Sequence, residues 1–155
     1  HGYRLCIPVL HAADHNLTAL GILSEEQARQ VALWRVLLAG ARTAARDDWI
    51  RRLRDLGMQV RIADDIVATL HAVEAPGEFS VLVLERKLLG DEAAALLRAV
   101  RKLRPHSGLV VLSEDELAWS GSLHIELIRE AAPSLETLLQ AMLRSVEPPV
   151  TERTP

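Results

Sequence analysis

The chain has 155 residues, 49% of them hydrophobic, and its 18 basic and 21 acidic side chains leave a net charge of -3. That length and apolar content suit one packed domain with flanking sequence and exclude disorder over most of the chain. The near-neutral balance excludes a general attraction to nucleic acid or to anionic membranes, so the expected partners are proteins.

Residues 1–33 read as an N-terminal extension or the end of a preceding domain. Within them Tyr3-Arg4-Leu5-Cys6-Ile7-Pro8-Val9 has strand character, and Ser24-Glu25-Glu26-Gln27 fits a capping box opening a helix toward Val31. Cys6 is the single cysteine and has no internal disulfide partner, which fits a small buried hydrophobe in a reducing, cytoplasmic compartment. His11 and His15 stand four apart, a spacing that on a helix would turn both imidazoles to one face, as a divalent metal requires. Asn16 and Gly21 mark a loop instead, and no third or fourth ligand is evident, so no metal and no cofactor is expected. No secretory leader is read at the start, and an opening on His1 reads as an excised piece or a tag scar.

From Trp34 to about Val146, short β-branched or leucine runs alternate with helical patterns, the signature of a parallel sheet covered by helices. The first strand is Arg35-Val36-Leu37-Leu38; Thr43 then caps a helix whose Trp49, Ile50, Leu53 and Leu56 share a face, and Gly57 ends it. The second strand is Gln59 to Ala63, and Asp64 or Asp65 caps a helix with Ile66, Leu70 and Val73 inward, closed by Pro76-Gly77. Ser80-Val81-Leu82-Val83-Leu84 is apolar throughout, as a central strand buried on both faces must be. After Gly90-Asp91 comes a helix with Leu96, Leu97, Val100 and Leu103 inward, Arg98, Arg101, Lys102 and Arg104 largely outward, and Pro105 as its stop. Gly108 to Leu112 and His124 to Ile128 are the fourth and fifth strands. A last helix begins near Pro133-Ser134 and turns Leu135, Leu138, Leu139, Met142 and Leu143 to the core. Residues 147–155 have the proline and charge content of a linker.

The common catalytic motifs are missing. Neither Gly-x-Gly-x-x-Gly, nor a lysine-terminated phosphate loop, nor Gly-x-Ser-x-Gly occurs, and His71, His106 and His124 are isolated. The longest uncharged apolar runs, such as Val81 to Leu84, fall far short of the roughly 20 residues that span a bilayer, so no direct membrane insertion is expected.

Five such units, with an apolar third strand ending in an acidic residue, resemble the response-regulator receiver family. The resemblance implies a doubly wound five-stranded parallel sheet of the flavodoxin type, here with a reduced fourth helix because the interval from Ser113 to Arg129 is short. In that family the first strand ends in an acidic pair that binds Mg²⁺, the third in the phosphoacceptor aspartate, the fourth in Thr or Ser and the fifth in Lys. Ala39-Gly40 stand at the first place with no side-chain oxygen, Glu85 at the pseudo-phosphoacceptor position, Ser113 at the third place and Arg129 at the last. A hard cation needs oxygen ligands, so the resemblance implies a degenerate pocket without phosphoryl transfer. Glu85 reads either as a plain strand-end charge paired with Arg86 or Lys87, or as a fixed mimic of a phosphorylated receiver near Ser113 and Arg129. A register beginning at the strand that ends in Asp64-Asp65 runs out of chain, since only two convincing strands follow Glu85. Trp119 is either an interaction residue, on the face by which receivers commonly meet partners, or a core tryptophan under the reduced helix.

The expected function is therefore a non-catalytic pseudo-receiver of a bacterial two-component protein. It acts by contact with other domains of its protein or with a signalling partner. The strand Gly2 to Val9 is similar to the closing strand of histidine-kinase ATPase domains, which points to the cytoplasmic part of a hybrid sensor kinase, with no enzymatic activity in this segment itself. Two alternatives stand beside it: a genuine phosphoacceptor or hydrolase using Asp64, Asp65 or Asp115, and a ligand-sensing α/β domain whose reduced fourth helix opens a pocket.

Overall fold

A computed structural model describes residues 23–115, 123–130 and 132–146. His11, His15, Cys6, the strand-like segment Tyr3 to Val9, Trp119 and the linker 147–155 lie outside the described residues. Five parallel strands form one sheet: β1 (Arg35–Ala39), β2 (Gln59–Ala63), β3 (Val81–Glu85), β4 (Gly108–Leu112) and β5 (Glu126–Ile128), in the order β2-β1-β3-β4-β5. The helices are α1 (Glu25–Val31), α2 (Ala44–Asp55), α3 (Ile66–Glu74), the single turn α4 (Arg86–Leu89), α5 (Ala93–Leu103) and α6 (Leu135–Val146).

Alternation along each strand builds two separate cores. Val36 and Leu38, Val81 and Val83, and Val110 and Leu112 face one side, where they pack with Val31, Trp49, Leu53, Leu138 and Met142 of α1, α2 and α6. Leu37, Leu82, Leu84, Leu109 and Val111 face the other side and meet Ala72 and Val73 of α3 and Leu97 and Val100 of α5. This two-sided burial explains why β3 and β4 carry no polar residue before their ends. It also makes the sheet doubly wound, as expected.

Local chemistry sets the element boundaries. Ser24 and Gln27 form the capping box reciprocally, Thr43 Oγ1 accepts from Arg46 N at 3.1 Å, and Asp65 accepts from Ala68 N at 2.7 Å. After α2, Gly57 takes φ +100°, which lets Gly57 N donate to Arg54 O and Met58 N to Leu53 O in a Schellman stop.

Five differences from the sequence expectation have local causes, the first being Leu103, expected inward but 48% exposed as the last residue of α5, past the buried turns of Leu97 and Val100. Leu23, Ala28 and Val31 are buried in the same core as β1, so packing begins before Trp34. The extra turn α4 follows β3 directly, ahead of a 3₁₀ turn at Gly90–Glu92. β5 starts at Glu126 and not His124, because His124 adopts φ 55°, a left-handed conformation that breaks a strand. Arg101 and Arg104 turn inward as clamps. Arg101 donates to the carbonyls of Ser107 (2.7 Å), Leu123 (3.1 Å) and His124 (3.2 Å), and Arg104 to those of Val73 (2.9 Å) and Ala75. They share the spacing of Leu97 and Val100, so α5 brings them to the edge of its buried stripe. Among the described residues no helix is long and apolar enough to cross a membrane.

Candidate functional site

The C-terminal ends of β1, β3 and β4 meet where the strand order reverses, the place at which open α/β sheets form their clefts. Ala39 ends β1 and is buried, with Gly40 buried just beyond it. Glu85 ends β3, half-buried and in register with Leu112. Its side chain lies over Gly40: a Cβ placed there would stand 3.3 Å from Glu85 Cβ and 3.5 Å from Oε2. The glycine thus gives room to the longer carboxylate, which occupies the side of the pocket where the receiver pattern has its acidic pair.

Ser113 follows β4 and is buried, but its hydroxyl is already engaged. It donates to Asp115 O at 2.9 Å and accepts from Asp115 N at 3.1 Å, closing a small turn. Arg86 and Lys87 do not pair with Glu85; they face Asp115 at 4.0 Å and Glu114 at 3.7 Å. Glu85 makes no ion pair among the described residues. Arg129, one residue past β5, is exposed and does not line the cleft in which Glu85 and Ser113 meet. Glu85 therefore lines two adjoining spaces, a small one with Ala39 and Gly40 and a larger cleft with Ser113, and Arg129 lines neither of them. The larger cleft measures about 320 Å³ and is also lined by Thr43, Arg86, Lys87 and Asp115.

Arg46 is the site residue that the sequence reading passed over. Its side chain is only 5% exposed, Nη1 donates to Gly40 O at 2.8 Å and to Asp64 Oδ1 at 2.6 Å, and Nε finds no partner among the described residues. With Arg42 at 3.1 Å on the other oxygen, hydrogen bonds from Arg46 first and Arg42 second hold the Asp64 carboxyl below its ordinary value of 3.8. The signal was available in the spacing. Arg46, Trp49, Ile50 and Leu53 stand at i, i+3, i+4 and i+7, so the arginine lies on the apolar stripe of α2. Of the acidic pair after β2, Asp65 is the expected helix cap, and Asp64 is the counter-charge of Arg46.

Arg46, Gly40, Trp49 and Glu85 line the small space, a cavity with about 10 Å³ of free space, roughly what one water needs. The Mg²⁺ that the receiver pattern implies does not fit these residues. Such an ion takes six oxygens in a near-octahedral shell and keeps several waters. In the small cavity one carboxylate and a buried guanidinium flank a space for one water; in the larger cleft Glu114 and Asp115 face Lys87 and Arg86, and among the described residues no three His, Cys, Asp or Glu gather as a metal set.

Comparison with solved structures gives the architecture its name. A response-regulator receiver domain protein from Methanospirillum hungatei JF-1 superposes with a TM-score of 0.64 at 22% identity over 74% of this chain and 94% of that one. This is the receiver fold. A response regulator from Burkholderia pseudomallei, solved with a phosphorylated aspartic acid and a calcium ion, has a TM-score of 0.61 at 18% identity, covering 71% of this chain and 66% of that one. The receiver domain of the hybrid histidine kinase CckA gives 0.59 at 19% identity over 73% and 98%. No family model matches the sequence, and no curated protein does. The receiver fold explains why Ala39, Glu85 and Ser113 lie on the same side of the sheet: the first two end parallel strands and Ser113 directly follows one.

Proposed function

We propose that this chain is a pseudo-receiver, a non-catalytic signalling module of a bacterial two-component protein that works by protein contact without phosphorylation at Glu85. The observation that carries the reading is the composition of the pocket. One carboxylate stands over Gly40, beside a buried guanidinium, with no oxygen-bearing side chain at Ala39 or Gly40. Phosphoryl transfer to a carboxylate needs a cation to offset the charge developing on the phosphoryl oxygens, and it needs donors free to meet them. The Ser113 hydroxyl is committed to Asp115, and Asp64 is committed to Arg42 and Arg46. A pocket so occupied is suited to holding one conformation.

The module is proposed to sit in the cytoplasmic part of a larger sensor protein of the hybrid histidine kinase type, in contact with its neighbouring domains. The strand-like segment Tyr3 to Val9 and the CckA receiver's likeness support that setting. Incubation with acetyl phosphate and Mg²⁺, followed by intact mass, tests the central point. An unchanged mass is expected; a gain of one phosphoryl group would overturn the reading.

A further inference from the structure

We infer that Arg46 is the pocket's resident cation: it stands in, from within the fold, for the charge of a divalent ion and keeps such ions out. The inference rests on the pseudo-receiver reading and adds to it a residue and a cause. Arg46 is buried on the apolar stripe of α2, a place where a charge is tolerated only if its surroundings demand it. Its Nη1 grips Gly40 O at 2.8 Å, and Gly40 is also the residue over which the Glu85 carboxylate folds, with Oε2 3.5 Å from the site of a Cβ. Cation and anion thus approach the same backbone position from two sides. No ion pair joins them, and both line the cavity of about 10 Å³.

Asp64 neutralises Arg46 only in part. It is itself shared with Arg42 and half open to solvent, and it meets Nη1 while Nε stays unpartnered among the described residues. Arg46 thus lines the cavity while one of its buried donors, Nε, has no partner among the described residues. A dication entering there would meet a fixed positive charge at close range in a space that excludes most of its hydration shell. Loss of the acidic pair at Ala39-Gly40 and presence of a buried arginine are two halves of one arrangement. Restoring the carboxylates alone leaves the arginine in place, where it claims them as ion-pair partners.

The test uses Mn²⁺ alone, followed by the electron paramagnetic resonance signal of the free ion, on the whole chain. An acidified variant carries Ala39→Asp, Gly40→Asp and Glu85→Asp. Adding Arg46→Gln to it is expected to tighten Mn²⁺ binding by roughly tenfold to a hundredfold, and adding Arg46→Lys, which keeps the charge, is expected to leave it weak. Circular dichroism checks that each variant is folded. Equal Mn²⁺ affinity with Arg46 and with Gln at that position would overturn the inference. Should the Gln variant not fold, the acidified chain that retains Arg46 decides alone: submillimolar Mn²⁺ binding overturns the inference, and weaker binding upholds it. Phosphorylation of the unaltered chain would instead sink the underlying reading, so the two failures are distinguishable.

Discussion

Asp64 and Arg46 show how one exposed carboxylate can be tied to a buried charge. Because hydrogen bonds from Arg46 and Arg42 lower the folded-state pKa of Asp64, its contribution to stability is present above the ordinary value of 3.8 and is lost as pH falls through the lower folded value. Asp64→Asn should therefore destabilise the chain at pH 7, and the gap to the parent should narrow below pH 4. Urea melts of both proteins at pH 7 and pH 3 check this; a gap of the same size at both values would show that the ion pair is not the cause. Trp49 offers a neutral counterpart. Its Nε1 donates to Pro133 O at 3.0 Å in a buried setting, pinning α2 to the segment that leads into α6.

Among the elements, α5 and α6 carry more than their apolar stripes announce. Arg101 fastens the C-terminal end of α5 to the segments that begin β4 and precede β5, through carbonyls of Ser107, Leu123 and His124. Arg101→Met keeps the side chain's length and removes these charged donors, so a loss of about 1.5–3 kcal/mol is expected in chemical denaturation. Gly108 opens β4 against α6. A Cβ there would meet Ser145 and stand 3.0 Å from Val146 Cγ1 and 3.1 Å from the Ser145 carbonyl carbon. Since the obstruction includes backbone, Gly108→Ala should cost about 1–3 kcal/mol through overpacking. Unchanged denaturation midpoints for either variant would count against these roles.

At the scale of the whole molecule, one face of the sheet is completed by a helix that precedes the first strand. Leu23 and Val31 are buried with Trp34 and Leu53, and each contributes about 1.5–3 kcal/mol by leaving water. A chain starting at Trp34 should keep the sheet but melt roughly 10 °C or more below one starting at His1. Equal melting temperatures would place the helix outside the cooperative unit. The receiver fold supplies convergent strand ends, and the residues at those ends decide what happens there. For this chain they set the Glu85 carboxylate and the partly neutralised Arg46 around one small cavity between β1 and β3, and the proposed contact function rests on that composition.

The order of elements was legible in the sequence because burial on both faces writes itself as runs such as Val81 to Leu84, and because caps at Ser24, Thr43 and Asp65 are local. The positions of Ala39, Gly40, Glu85 and Ser113 followed from the same strand ends. Interactions between segments remote in sequence were not legible there. Arg46 with Asp64, Arg104 with Val73, and the engagement of Arg86 and Lys87 by Asp115 and Glu114 depend on which loops the sheet brings together. A charge on an apolar stripe tells that an arginine must be satisfied. Only the tertiary structure decides by what, because its partner lies across a strand crossover, and hydrogen bonds of that range depend on distance in space.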